Sequence, residues 1–187
     1  MTCIVGWTEK GNVWIGGDSA GVAGYSLRSR ADEKVFKKGE FVFGFTSSFR
    51  MGQLIRYQLV IPKPEEGQNE DDYLHVKFLD SVIECFKDNR YATLKDGEIT
   101  GGTFLFGYRG KLYQVENDFQ IAKTRYCFDA VGCGAEIALG CLYGLSHQTL
   151  TPRKRVEKAL KAAQEFSAGV REPFHIEYIE QSQNDQI

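Results

Sequence analysis

Cys3-Ile4-Val5-Gly6-Trp7 and Val13-Trp14-Ile15-Gly16-Gly17 flank the polar run Glu9-Lys10-Gly11-Asn12, and this stretch decides how the chain is read. Two apolar, β-branched runs about a glycine-bearing turn predict a hairpin, so the chain opens with β structure. The pattern returns beyond the glycine- and serine-rich stretch 19–29. Residues 34–38 and 40–46 form a second strand pair about Gly39. Met51, Leu54, Ile55 and Leu59 then recur at helical spacing, ending before Pro62-Lys63-Pro64. An acidic loop over 62–72 precedes a second helix over 73–86. Strands follow at 103–108, 111–115 and 126–131, then a helix over 134–145. Thr151-Pro152 supplies a cap and first-turn proline for another helix to about Ser167, and 174–179 reads as a last strand. Strands grouped at the start and middle, each group followed by a helix pair, predict an α+β fold: a four-layer αββα sandwich of two antiparallel sheets covered by helices. Residues 1–180 read as one domain, and 181–187 as a polar tail with nothing to bury.

A chain of 187 residues, 42% hydrophobic and 26% charged, lies in the soluble globular range and buries roughly 70% of its unfolded surface. Its 23 Lys plus Arg against 25 Asp plus Glu leave a formal charge of −2, so no basic field exists to hold nucleic acid or an anionic membrane. Five cysteines without CxxC spacing and three scattered histidines suggest neither a disulfide framework nor a metal site. No leader and no membrane span is read, and a reducing, cytoplasmic setting is the simplest expectation. Gly16-Gly17 and Gly101-Gly102 lack the Lys-Ser/Thr and helix of a phosphate loop, so they read as close-packing sites and no cofactor is expected.

Chemistry concentrates at the start of the chain. Removal of Met1, which a small second residue favours, would leave Thr2 with a hydroxyl and an amine on adjacent atoms. That is a nucleophile with its own base, because an α-amine titrates near neutral pH and can take the hydroxyl proton. Asp18 ends the second strand and Lys34 begins the third, and adjacent strand ends can bring both beside Thr2. An ammonium there lowers the pKa of the hydroxyl, and a carboxylate keeps that ammonium charged and oriented. Cys3 alternates away from Thr2 and reads as a core residue.

With Met1-Thr2-Cys3-Ile4-Val5-Gly6, Ile15-Gly16-Gly17-Asp18-Ser19 and Ala31-Asp32-Glu33-Lys34-Val35 in order, and Asp18 and Lys34 at 16 and 32 residues after Thr2, the chain resembles the proteasome β-subunit and HslV-like family of N-terminal nucleophile hydrolases. Phe43-Gly44-Phe45-Thr46-Ser47-Ser48 is similar to the segment that supplies the family's oxyanion amide, and Val131-Gly132-Cys133-Gly134-Ala135 to its Gly-Ser-Gly turn. The resemblance implies a threonine peptidase acting on peptide or unfolded-protein substrate, with Thr2, Asp18, Lys34 and Cys133 catalytic and an amide at Ser48 binding the oxyanion. It also implies a homo-oligomeric ring and an ATP-driven unfoldase as partner. Phe49, Met51 and Ile55 on the first helix either pack against neighbouring subunits or face the core.

The chain departs from the family's pattern at four places. Cys133 stands for a serine, and a thiol is the weaker hydrogen-bond partner. Gln164 stands for an aspartate and supplies no negative charge. Ser47 and Ser48 stand where glycine is typical, narrowing the room for substrate. These departures imply slow or narrow-specificity cleavage. They leave open a non-catalytic structural subunit or scaffold, and a stand-alone hydrolase of a small amide.

Overall fold

Lys10 and Gly11 both take positive φ, +51° and +77°, and close a two-residue turn of the type that matches strand twist. It joins β1 (Cys3–Glu9) to β2 (Asn12–Gly17) with Glu9 facing Asn12 and Ile4 facing Gly17. The computed structural model describes residues 1–95 and 97–180; the tail expected over 181–187 lies outside them. β12 (Phe128–Gly132) pairs with β1 on one side and β13 (His175–Ile179) with β2 on the other, giving the antiparallel order β12-β1-β2-β13. The facing sheet has the order β11-β10-β9-β6-β5, from β5 (Val35–Lys38), β6 (Phe41–Phe45), β9 (Phe104–Tyr108), β10 (Lys111–Val115) and β11 (Ile121–Lys123).

Alternation along β1 sorts side chains into layers. Ile4 joins Val13, Ile15, Val35, Val42 and Leu105 between the sheets, whereas Cys3, Val5 and Trp7 point outward beneath α4 (Ala135–Leu145) and α5 (Pro152–Phe166). The sheets approach closely at Gly44, where a Cβ would come within 2.5 Å of Ile4 and 2.7 Å of Ile15. In α5 the Thr151 side chain accepts from the Lys154 amide, and Val156, Ala159, Leu160 and Ala163 form the buried stripe. A phenylalanine-rich core fills the space between the five-stranded sheet and the other helices. Those are α1 (Phe49–Tyr57), the helical turn α2 (Glu70–Asp72), a π-helical segment (Tyr73–Phe78) and α3 (Leu79–Asp88).

These layers are the αββα sandwich expected from the strand and helix grouping. Met51 and Ile55 are wholly buried in the phenylalanine-rich core, with Phe49 packed against it, so the first helix faces inward at these positions. The glycine pairs are close-packing sites, since a Cβ at Gly16 would lie 2.4 Å from Val156 and one at Gly101 2.5 Å from Phe119.

Several expectations need correction. Within the stretch 19–29, to which the sequence reading assigns no element, β3 (Ala20–Ala23) and β4 (Ser26–Ser29) form a hairpin, and every residue of β4 is exposed, so no apolar alternation announces it. A second short hairpin, β7 (Thr93–Lys95) with β8 (Glu98–Thr100), and the edge strand β11 escape because each strand is only three residues long. The 73–86 helix begins earlier, because Asn69 accepts from the amides of Asp71 and Asp72 and starts a helical turn within the supposed loop.

Candidate active site

The register of the first hairpin carries Asp18 past Gly17, next to the start of β1. The Cys3 amide donates to Asp18 Oδ1 at 2.9 Å, and the Ala20 and Arg171 amides donate to Oδ2 at 2.8 and 3.3 Å. Three backbone donors hold the carboxylate in place. Lys34 arrives differently from the expectation. It precedes β5, an edge strand of the facing sheet rather than a neighbour of β2, so it reaches Thr2 across the gap between sheets.

The Lys34 Nζ donates to Thr2 Oγ1 at 2.9 Å, to Asp18 Oδ1 at 2.9 Å and to the Ala20 carbonyl at 2.7 Å. All three ammonium protons are thus directed. The Lys34 and Asp18 side chains are 1% and 0% exposed, which makes this a fully buried ion pair. Burial pulls the Lys34 pKa below the ordinary lysine value, and the charge and hydrogen bond of Asp18 oppose that pull.

Thr2 is itself buried, and its hydroxyl donates to the Met1 carbonyl at 2.5 Å. Its nitrogen is an amide here, donating to Cys133 Sγ at 3.3 Å. Cys133 follows Gly132, which pairs with Cys3 at the end of β12, and its exposed sulfur also lies 3.4 Å from the Thr2 carbonyl and 3.5 Å from Ser167 Oγ. Gly132 has φ +100°, and a Cβ there would stand 2.2 Å from the Thr2 carbonyl oxygen, so this strand end can come so close only with glycine. Cys3 is buried with its thiol pKa pushed up, first by burial and then by Asp18, which suits an inert core residue.

The segment expected to supply the oxyanion amide does border the site. Thr2, Thr46, Ser47 and Ser48 line a cleft of about 70 Å³. The Ser48 N–H, however, donates to the Thr46 carbonyl at 2.6 Å, across Ser47 at φ +57°. Its side chain caps α1 by accepting from the Arg50 amide. Gln164 Oε1 accepts from the Glu172 amide at 2.6 Å, and the adjacent Arg171 is the residue whose amide reaches Asp18. Glutamine thus serves as an acceptor that positions the 171–172 turn. Sequence reasoning missed the Arg171 amide and the Ala20 carbonyl, because backbone groups leave no residue-type signal. Among the described residues no group of three or more His, Cys, Asp or Glu could hold a metal ion.

The sequence matches no family model and no curated protein. Solved structures do match. Thiobacillus denitrificans BPH in complex with epoxomicin is 18% identical over 96% of this chain and 99% of its own, with a TM-score of 0.79. Eukaryotic HslV from Trypanosoma brucei is 15% identical, covering 95% and 99%, with a TM-score of 0.70. The Anbu (Gly-1) mutant from Hyphomicrobium sp. strain MC1 is 14% identical, covering 100% and 89%, with a TM-score of 0.69. The chain therefore shares its fold, over nearly its whole length, with HslV, BPH and Anbu.

Proposed function

We propose that this protein is a proteasome-like N-terminal threonine hydrolase that cleaves peptide bonds through an acyl-enzyme on Thr2 once Met1 is removed. The observation that carries the reading is the Thr2 hydroxyl 2.9 Å from a buried lysine whose charge is held by Asp18. Loss of Met1 turns the Thr2 amide into an amine and frees the hydroxyl from the Met1 carbonyl. Met1 is 55% exposed, within reach of an aminopeptidase.

In the reaction the amine takes the hydroxyl proton as Oγ1 bonds to the scissile carbonyl carbon. It then gives that proton to the leaving amine as the C–N bond breaks, and water releases the acid from the resulting ester. The Lys34 charge stabilises the negative charge building at Oγ1. Ser48 donates to the oxyanion when its N–H leaves the Thr46 carbonyl, a contribution of about 3 kcal/mol in comparable sites. In this reading the subunits assemble into a ring that encloses the sites and is fed by an unfoldase. The engaged Ser48 amide is the observation that favours the non-catalytic scaffold as second reading.

Intact mass of the purified protein before and after epoxomicin, with Thr2→Ala as control, tests the proposal. Loss of Met1 and one adduct, absent from the variant, is the expected result; a processed chain that never reacts favours the scaffold. Native mass of the same sample reads the assembly, a monomer fitting the small-amide hydrolase instead.

The pH profile offers an independent check. Asp18 holds the Lys34 pKa up against burial, so Asp18→Asn lets it fall and Lys34 becomes neutral at lower pH. The alkaline limb of kcat is expected to move toward neutral pH in Asp18→Asn, and an unmoved limb would remove Lys34 from the mechanism.

A further inference from the structure

Next to the Thr2 cleft lies a larger cavity of about 580 Å³ under the β3–β4 hairpin. Val22 and Phe49 line both spaces, so the two adjoin. Arg28 and Arg30 line it. The Arg30 side chain crosses Gly21, where a Cβ would lie 2.7 Å from Arg30 Cδ, and its guanidinium stacks 3.7 Å from the centre of the Phe49 ring. Asp32 accepts from its Nε and one Nη at 2.6 Å each. A guanidinium has five N–H groups, so three on Arg30 have no partner among the described residues. Arg28, opposite Gly21 in the hairpin, has no carboxylate partner among the described residues. No Asp or Glu lines the cavity.

Resting on the reading of Thr2 as a peptide-cleaving nucleophile, we infer that the site selects peptides carrying an acidic side chain within one or two residues of the scissile bond, held by Arg28 and the free edge of Arg30. An occupant's carboxylate there meets one unpaired cation and a second set of oriented donors, a geometry suited to paired N–H···O bonds. A lysine in the same place meets the uncompensated charge of Arg28 and no carboxylate lining the cavity in return.

Fluorescence anisotropy with the Thr2→Ala chain tests this without turnover, using three labelled peptides of one length that carry Glu, Gln or Lys at the positions flanking the central bond. The Glu peptide is expected to bind about five-fold more tightly than the Gln peptide, with Lys weakest and the advantage shrinking at about 0.5 M salt. Arg28→Glu, at an exposed position, is expected to abolish the Glu preference and favour Lys. Equal affinities, an unchanged ratio in Arg28→Glu, or no binding by any of the three peptides overturns the inference. Turnover of the same peptides by the processed wild-type chain separates the two readings. Preferential binding without cleavage defeats the hydrolase and leaves the selectivity standing, and cleavage without acidic preference does the reverse.

Discussion

Lys34→Met in the processed chain is expected to lower peptide hydrolysis by at least about a thousand-fold and to destabilise the fold by about 3–5 kcal/mol. Methionine nearly fills the volume but brings neither charge nor donors. In the proposed mechanism the Thr2 hydroxyl loses the cation that stabilises its developing charge, which accounts for the expected rate. The stability loss has a different origin. Asp18 is 0% exposed and would keep its carboxylate in the core with only backbone donors to hold it. Double replacement, Lys34→Met with Asp18→Asn, should recover much of the stability and none of the activity, because the unpaired charge is gone while the cation beside Thr2 is still missing. Urea denaturation and initial rates on one peptide read both effects. A Lys34→Met chain with near-wild-type rates would refute the proposed mechanism.

The second large effect is expected at Gly132→Ala. The residue combines φ +100° with a Cβ position 2.2 Å from the Thr2 carbonyl oxygen and 2.9 Å from its carbon. Backbone strain alone costs about 1–3 kcal/mol, and the clash falls on main chain that cannot turn aside. The end of β12 must move away from β1, carrying Cys133 with it and shifting Thr2. A displacement of about 1 Å at a nucleophile costs on the order of 100-fold in rate. Gly39→Ala is the matched control: φ is +58°, nothing lies within 4 Å of its Cβ, and the residue sits at the end of β5 away from Lys34. It should lose about 1 kcal/mol of stability and no activity. Equal losses in both variants would show that the close approach at Gly132 does not position the nucleophile.

Much of this architecture was legible because its causes are local. A Lys-Gly turn with two positive φ values sets the register that carries Asp18 beside the start of β1, so the Thr2–Asp18 relation follows from a count along one hairpin. Thr151-Pro152 announces α5, and alternation along β1 separates Cys3 from Ile4. The β3–β4 hairpin was illegible because it buries almost nothing, although it carries Arg28 and covers the cavity beside Thr2.

Turn chemistry and side-chain periodicity act over a few residues, and the order of residues alone therefore determined the strand and helix groups, the first hairpin and the short list of Thr2, Asp18 and Lys34. Only the stacking of two sheets brought Lys34 to the other two. Lys34 crosses from the start of the edge strand of one sheet to Thr2 beside the other, Cys133, 131 residues along the chain, comes to the Thr2 nitrogen from the end of β12, and the Arg171 amide completes the Asp18 site. The engagement of the Ser48 amide with Thr46 was likewise beyond the sequence, since it depends on backbone angles that residue types do not specify.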